Sequence, residues 1–344
     1  MDKYDKIYDA VIKKAPYVDI DGVFDRRDAE IFFSRYPKAL ALISGFQVGG
    51  GMMGIAMFSR SMRLMLRYFD IPVDVNTIFV VKSEEEIINT LEKFVTRYDE
   101  NLGFVVPNQN MYLNARKRYA ERYAIIHPYL AAIGESMMTS GSTTVILTKL
   151  QYHVNPKELK KIELDINNEV NRVVRMLFEP GMSKLTKALL AHNYLATLAV
   201  YDHMDVTTKF NPYSHSAYGT LINHKSVCHG FADAFKRLCN RGGVKCEIVA
   251  GDIIGSTEKH AWNLVYVSDT EVYHVDVTWD IVPRLNYRFF LKGDGFMSST
   301  RMWKREIFPV ARVDMPNFIE AKQYVRLNRE KLVSKGIDPK VLFV

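Results

Sequence analysis

The sequence predicts an α+β fold in which one helix, carrying a cysteine in its first turn, packs on an antiparallel sheet. Three observations carry this. Phe231, Phe235, Leu238 and Cys239 line one side of a helix-period run that Val227 precedes and Gly242-Gly243 ends. Three β-rich runs follow: Lys245 to Ile253, His260 to Val267 and Glu271 to Trp279. The last two are joined by Ser268-Asp269-Thr270, which suits a hairpin. Upstream, residues 77–182 alternate strand and helix signals, giving a mixed α/β N-terminal region.

Composition sets the frame. A chain of 344 residues with 48% hydrophobic and 25% charged content is globular, and long enough for two domains or one large domain with an extension. Its three cysteines, Cys228, Cys239 and Cys246, are too few and too clustered for a disulfide scaffold. Their odd number leaves a thiol over, which suits a reducing compartment or a reactive role. Neither Cys-x-x-Cys nor His-Glu-x-x-His occurs, so no metal and no cofactor is expected. The N-terminus, Met1-Asp-Lys-Tyr-Asp, mixes both charge signs and is no signal peptide, so a cytoplasmic location is expected. The net charge of +7 sits in residues 283–344, where thirteen Lys/Arg face six Asp/Glu. Such a tail suits nucleic acid or anionic lipid, but a solvated helix face is the plainer reading, and no nucleic-acid partner is expected.

Taken in order, residues 1–76 carry no motif. Asp28 to Tyr36 reads as a helix that stops before Pro37. Ala39 to Phe58 then runs twenty residues without a charge, long enough to span a bilayer, with Arg60, Arg63 and Arg67 behind it. Gln47 and Gly49-Gly50-Gly51 weaken a membrane helix, and a buried segment broken by a glycine turn is the better reading. Ser59 to Phe69 is a basic amphipathic run with Met62, Leu64, Met65 and Tyr68 as its apolar positions. Thr77 to Val81 reads as a strand, and Ser83-Glu-Glu-Glu86 as a capping box for a helix burying Ile87, Leu91, Phe94, Val95 and Tyr98. Gly103 to Val106 reads as a strand. Asn108 to Ile126 reads as a helix packed through its tyrosines. Thr143 to Val154 is a strand candidate, and Asn155-Pro156 opens a helix with Ile162, Ile166, Val170, Val173 and Val174 on one stripe. Ser183 caps the next helix, where His192 falls on the apolar face as a satisfied core histidine. A polar loop, Asp205 to Lys225, leads to the cysteine helix.

The chemistry gathers there. Cys228 lies in a first turn, where unpaired N–H groups and the helix dipole favour a thiolate and can stabilise an oxyanion. Cys239 and Cys246 lack that setting and read as small buried hydrophobes. Register links the other two candidates. A three-residue loop pairs Val267 with Glu271, sets Asp276 opposite Trp262, and puts His260 on that same sheet face; a two-residue loop splits His260 and Asp276 between faces. Cys228 is thus the candidate nucleophile, His260 its base and Asp276 the orienting carboxylate. Trp262, Trp279 and His274 are candidates for lining the cleft, and Tyr218 and Asn223 for a second oxyanion donor. His229 is expected to be exposed.

These motifs resemble the bacterial branch of the transglutaminase-like superfamily. The likeness rests on Tyr201-Asp202, Ala217-Tyr-Gly-Thr-Leu221, Val227-Cys-His-Gly-Phe-Ala232, His260-Ala-Trp-Asn263 and Tyr273-His-Val-Asp-Val-Thr-Trp-Asp280, five motifs in order, with Asn286-Tyr-Arg-Phe-Phe-Leu291 behind them. It implies a papain-like, transglutaminase-like core over residues 183–310, preceded by the 77–182 region and the 1–76 segment and followed by a basic helical tail, 311–344. It implies a thiol acyl-transfer enzyme, a cysteine peptidase or amidase acting on peptides or proteins. An amine acceptor would make it a transglutaminase, and a decayed site would leave a binding or scaffold module. His229, Asn193 and Ile281 replace acidic residues common in the family, which bears on substrate contacts rather than on the triad.

Overall fold

The computed structural model describes residues 1–48, 61–69, 73–123, 126–140, 143–203, 210–281, 287–315 and 317–342. Contacts divide the chain into two compact units: Met1–Tyr123 with Leu130–Tyr152, and Ala124–Tyr129 with His153–Val344. Helices and sheets are mixed in both, as the α+β expectation has it.

The first unit contains α1 (Lys3–Ile12), β1 (Tyr17–Asp21), α2 (Arg26–Arg35), β2 (Ile43–Val48), β3 (Ser61–Tyr68), β4 (Ile78–Val80), α3 (Glu84–Thr96), β5 (Asn101–Val106), α4 (Gln109–Arg122), β6 (Leu130–Ser140) and β7 (Thr143–Tyr152). Its sheets have the orders β1-β3-β2 and β4-β5-β7-β6. The Ser59–Phe69 run contains strand β3. Leu64 and Leu66 turn inward at a period of two, while Arg63 points out, paired with Asp19 at 2.8 Å and stacked 4.1 Å over Tyr17. Met65 therefore shares the outer face with the arginines. The uncharged run is not one helix. Pro37–Ala41 forms a 3-10 turn, Ile43–Val48 is a strand, and residues 49–58 lie outside the described residues. Among the described residues no helix is long and apolar enough to cross a membrane.

Ser83 caps α3 by accepting from Glu86 N–H at 3.2 Å. The reciprocal bond of the capping box falls one residue early, with Lys82 N–H donating to the Glu86 carboxylate at 2.7 Å. Tyr112 and Tyr119 of α4 are fully buried, so the helix packs into the core through its tyrosines. Strand β6 gave no sequence signal. Its Ala-Ala-Ile-Gly-Glu-Ser stretch has weak strand propensity, and pairing along the β-branched β7 holds it in place.

The second unit runs α5 (Pro156–Leu177), α6 (Lys184–Leu198), β8 (Val200–Tyr201), α7 (Ala217–Leu221), β9 (Lys225–Ser226), α8 (Cys228–Arg241), β10 (Cys246–Ile253), β11 (Lys259–Tyr266), β12 (Val272–Val275), α9 (Val277–Asp280), β13 (Phe290–Lys292), α10 (Asp294–Met297), β14 (Arg301–Trp303), α11 (Ile319–Leu327) and α12 (Arg329–Ser334). Five antiparallel strands form its main sheet in the order β13-β12-β11-β10-β14. Helix α8 ends as its sequence requires: Gly242 caps it and Gly243 takes φ +79, a left-handed turn that suits glycine. The basic tail is drawn into the fold. Ala321, Val325, Leu332 and Ile337 are buried, while Lys331 and Lys335 stay on the exposed face and reach Glu179 at 2.9 and 3.3 Å.

The hairpin register is that of a three-residue loop. Leu264 faces His274, Asn263 faces Val275, and Val267 N–H donates to the Glu271 carbonyl at 3.0 Å. The run Glu271–Trp279 is not all strand. Pairing stops at Val275, and Asp276 caps the single turn of α9 by accepting from Trp279 N–H at 3.2 Å.

The loop ahead of α8 lies tightly on its first turn. A Cβ on Gly230 would sit 2.0 Å from Ser226 Oγ, 2.6 Å from the Ser214 carbonyl and 2.7 Å from the Ser216 carbonyl. Two of those neighbours are backbone and cannot swing away. Gly230→Ala is expected to cost about 3 kcal/mol, read as a lower urea midpoint at unchanged slope; a midpoint equal to wild type would contradict the packing.

Candidate active site

Helix α8 starts without a side-chain cap at Val227. The nearest hydroxyl is spent elsewhere, since Ser226 Oγ donates to the Ser214 carbonyl at 2.7 Å. The first-turn N–H groups and the positive end of the dipole are thereby left for an anion beside Cys228. The Cys228 side chain is half-buried against the cluster of Ala232, Ile248 and Ala261, whereas Cys239 and Cys246 are buried.

His260 and Asp276 are brought together. Nε2 of the imidazole lies 2.7 Å from Asp276 Oδ2, with both side chains almost out of water. An ionised carboxylate only accepts, so the proton is on Nε2, and Nδ1 is the nitrogen left for Cys228. Burial works against the imidazolium. The Asp276 charge and hydrogen bond, followed by those of Cys228, outweigh it and raise His260 to about 9. Burial also pushes the Asp276 carboxyl up, but the charges of His260 and Arg301 hold it below its usual range.

Arg301 is the residue that sequence reasoning missed. It was counted among the basic residues of the 283–344 stretch, yet it is 1% exposed and its Nη2 donates to Asp276 Oδ2. Its place in Thr300-Arg-Met-Trp303 carries no motif, and only the pairing of Arg301 with Ile253 across the sheet brings it to the site.

The cleft candidates divide. Trp262 stacks on His260 with ring centroids 5.9 Å apart and planes 19° apart, and Trp279 lies 5.6 Å from it on a tilt. Trp262 Nε1 donates to His274 Nδ1 at 2.9 Å, and His274 Nε2 in turn meets Asp294 at 2.9 Å. Accepting the Trp262 N–H requires an unprotonated Nδ1, so the ring is a neutral relay that orients Trp262; burial holds His274 below its ordinary value, with Asp294 only partly offsetting it. Tyr218 and Asn223 belong to the segment that leads into the Cys228 helix. Tyr218 packs its ring on Tyr213 at 5.8 Å, and Asn223 is exposed.

His229 is buried, not exposed, with its ring 6.3 Å from that of His215 in the 213–216 loop. Burial pushes its imidazole down to about 4, against the partial help of Asp233, and its Nε2 has no hydrogen-bond partner. His192 is satisfied in the core as expected, 3.1 Å from Asp280 and against Asn193. Among the described residues no group of three or more His, Cys, Asp or Glu side chains could hold a metal ion.

Residues 172–277 match the family model of the Transglutaminase-like superfamily. The chain carries a transglutaminase-like domain. The matched stretch includes Cys228, His260 and Asp276 and ends before Asp294 and Arg301. No curated protein matches the chain. A crystal structure of a TGase aligns at 14% identity over 62% of this chain and 61% of its own, with a TM-score of 0.29. A candidate cysteine protease from Cytophaga hutchinsonii aligns at 14% identity over 43% of this chain and 62% of its own, with a TM-score of 0.26. The chain thus spans about three fifths of each of these proteins. Neither superposition adds to the family match.

The His260 pairing ties the stability of the transglutaminase-like domain to pH. The value in the folded chain lies above the free value of 6.5, so the stabilisation is whole below pH 6.5 and is lost as pH rises through about 9. His260→Gln is expected to trail wild type by a margin that shrinks by on the order of 3 kcal/mol across that range. Melting curves of both proteins between pH 6 and pH 10, taken at about unit steps, check this. A margin that stays constant or widens would refute the pairing.

Proposed function

We propose that this chain is a thiol-dependent acyl-transfer enzyme, a cysteine peptidase or amidase that cleaves peptide or protein amides through Cys228, His260 and Asp276. The observation that carries the reading is the buried 2.7 Å bond between His260 and Asp276, with Cys228 acting on the same imidazole from an uncapped helix start. Family membership supports the reaction class.

In this reading Cys228 Sγ, as thiolate, attacks the amide carbon while His260 stands as imidazolium. The first-turn N–H groups of α8 receive the developing oxyanion. As the C–N bond breaks, His260 gives its proton to the leaving amine, and a thioester remains on Cys228. Water then attacks the thioester, His260 takes a proton from it, and the C–S bond breaks to release the acid. Asp276 keeps the proton on Nε2, so that Nδ1 faces the thiol throughout.

The test is labelling with iodoacetamide at neutral pH, located by peptide mapping. Cys228 should be modified ahead of Cys239 and Cys246, and His260→Ala should abolish that preference. Cys228→Ser should lower peptide hydrolysis by roughly a thousandfold or more. An inert Cys228, or labelling indifferent to His260, would end the catalytic reading. Incorporation of a fluorescent amine into a glutamine-bearing protein, dependent on Cys228, would make the enzyme a transglutaminase instead.

A further inference from the structure

Arg301 opens β14, and its guanidinium is buried where a cation needs an answering charge. Nη1 donates to Thr300 Oγ1 at 2.7 Å. The guanidinium carbon lies 4.0 Å over the Trp279 ring, with Phe289 at 4.6 Å and Trp262 at 5.5 Å. Nη2 donates to Asp276 Oδ2, the same oxygen that accepts the hydrogen bond from His260 Nε2. One carboxylate oxygen therefore serves two cationic donors, and only one of them can lose its proton.

We propose that Arg301 is a positioning residue that makes His260 a better proton donor, by keeping Asp276 paired when His260 is neutral. The proposal rests on the reading of Cys228, His260 and Asp276 as an acyl-transfer triad. If Asp276 had His260 alone, deprotonating the imidazolium would strand a buried carboxylate with no counter-charge, and the proton would be held too firmly. Arg301 removes part of that cost, because its charge stays when the proton leaves. The neighbours leave few competitors. Asp276 is met by His260 from β11, Arg301 from β14 and the Trp279 N–H of α9. His260 is met by Asp276, by Cys228 and by the rings of Trp262 and Trp279. The step that feels Arg301 is the one in which the proton on His260 Nδ1 passes to the amine nitrogen as the C–N bond breaks. A nitrophenolate leaves without that proton, so an activated ester bypasses the step.

The experiment compares wild type, Arg301→Gln and Arg301→Lys on an amide and on a p-nitrophenyl ester of the same acyl group, with melting curves and the pH profile of Cys228 alkylation. For Arg301→Gln, kcat/KM on the amide should fall about tenfold or more while the ester stays within about threefold. The upper limb of the alkylation profile should move to higher pH, since His260 loses a competing cation. Arg301→Lys, which keeps the charge, should return the amide to within about threefold of wild type. Equal losses on amide and ester, or no loss on either, would overturn the proposal and leave the triad reading standing. If the glutamine variant does not fold, the lysine variant decides: an amide rate near wild type supports the role, and matched losses on both substrates refute it. A wild type with no Cys228-dependent turnover of either substrate would instead defeat the underlying function.

Discussion

A carboxylate taken wholly out of water must have its charge answered where it stands, and in this chain that carboxylate is Asp276. Three elements converge on it: β11 brings His260, β14 brings Arg301 and the turn of α9 brings the Trp279 N–H. Each is held by something more extensive than the contact itself. His260 is placed by sheet register, Arg301 by pairing with Ile253, and Trp279 by the turn that Asp276 starts. The attraction inside a poorly polarisable core is strong, but so is the penalty for losing any partner. The surrounding rings of Trp262, Trp279 and Phe289 serve this arrangement by keeping water away from the ionic cluster.

Against that fixed cluster, the cysteine side is built from backbone. The start of α8 owes its chemistry to what Ser226 does not do. Its hydroxyl turns to the Ser214 carbonyl, and the first-turn N–H groups stay uncapped. The absence of a Cβ at Gly230 lets the 213–216 loop close down on the same turn, and His229 is buried beside the nucleophile candidate. A charge on that imidazole would be costly there, and burial keeps it neutral.

The parts of the site that depend on short-range rules were legible in the sequence. The three-residue turn at Ser268-Asp269-Thr270 fixes the face shared by His260 and Asp276, because side chains alternate strictly along a strand. The helix start at Cys228 is likewise a local pattern. What escaped is what depends on distant pairing. Arg301 looks like any basic residue until β14 joins the far edge of the sheet. Strand β6 is held by its neighbour rather than by its own residues. The arginines and methionines of β3 are equally consistent with helix and strand until the register against β1 and β2 is known.

The turn Val277–Asp280 is among the smallest pieces of the molecule, yet a carboxylate stands at each end of it. Asp276 grips a histidine of the sheet, and Asp280 grips His192 of the long helix α6 while also accepting the Phe289 N–H at 2.9 Å. The two acids are four residues apart and both are completely buried. Such an element works as a rivet through two layers. Slippage of the sheet against α6 would have to break a buried acid–imidazole contact at one head or the other, so the bearing of His260 is set by the same pin that clamps the layers together.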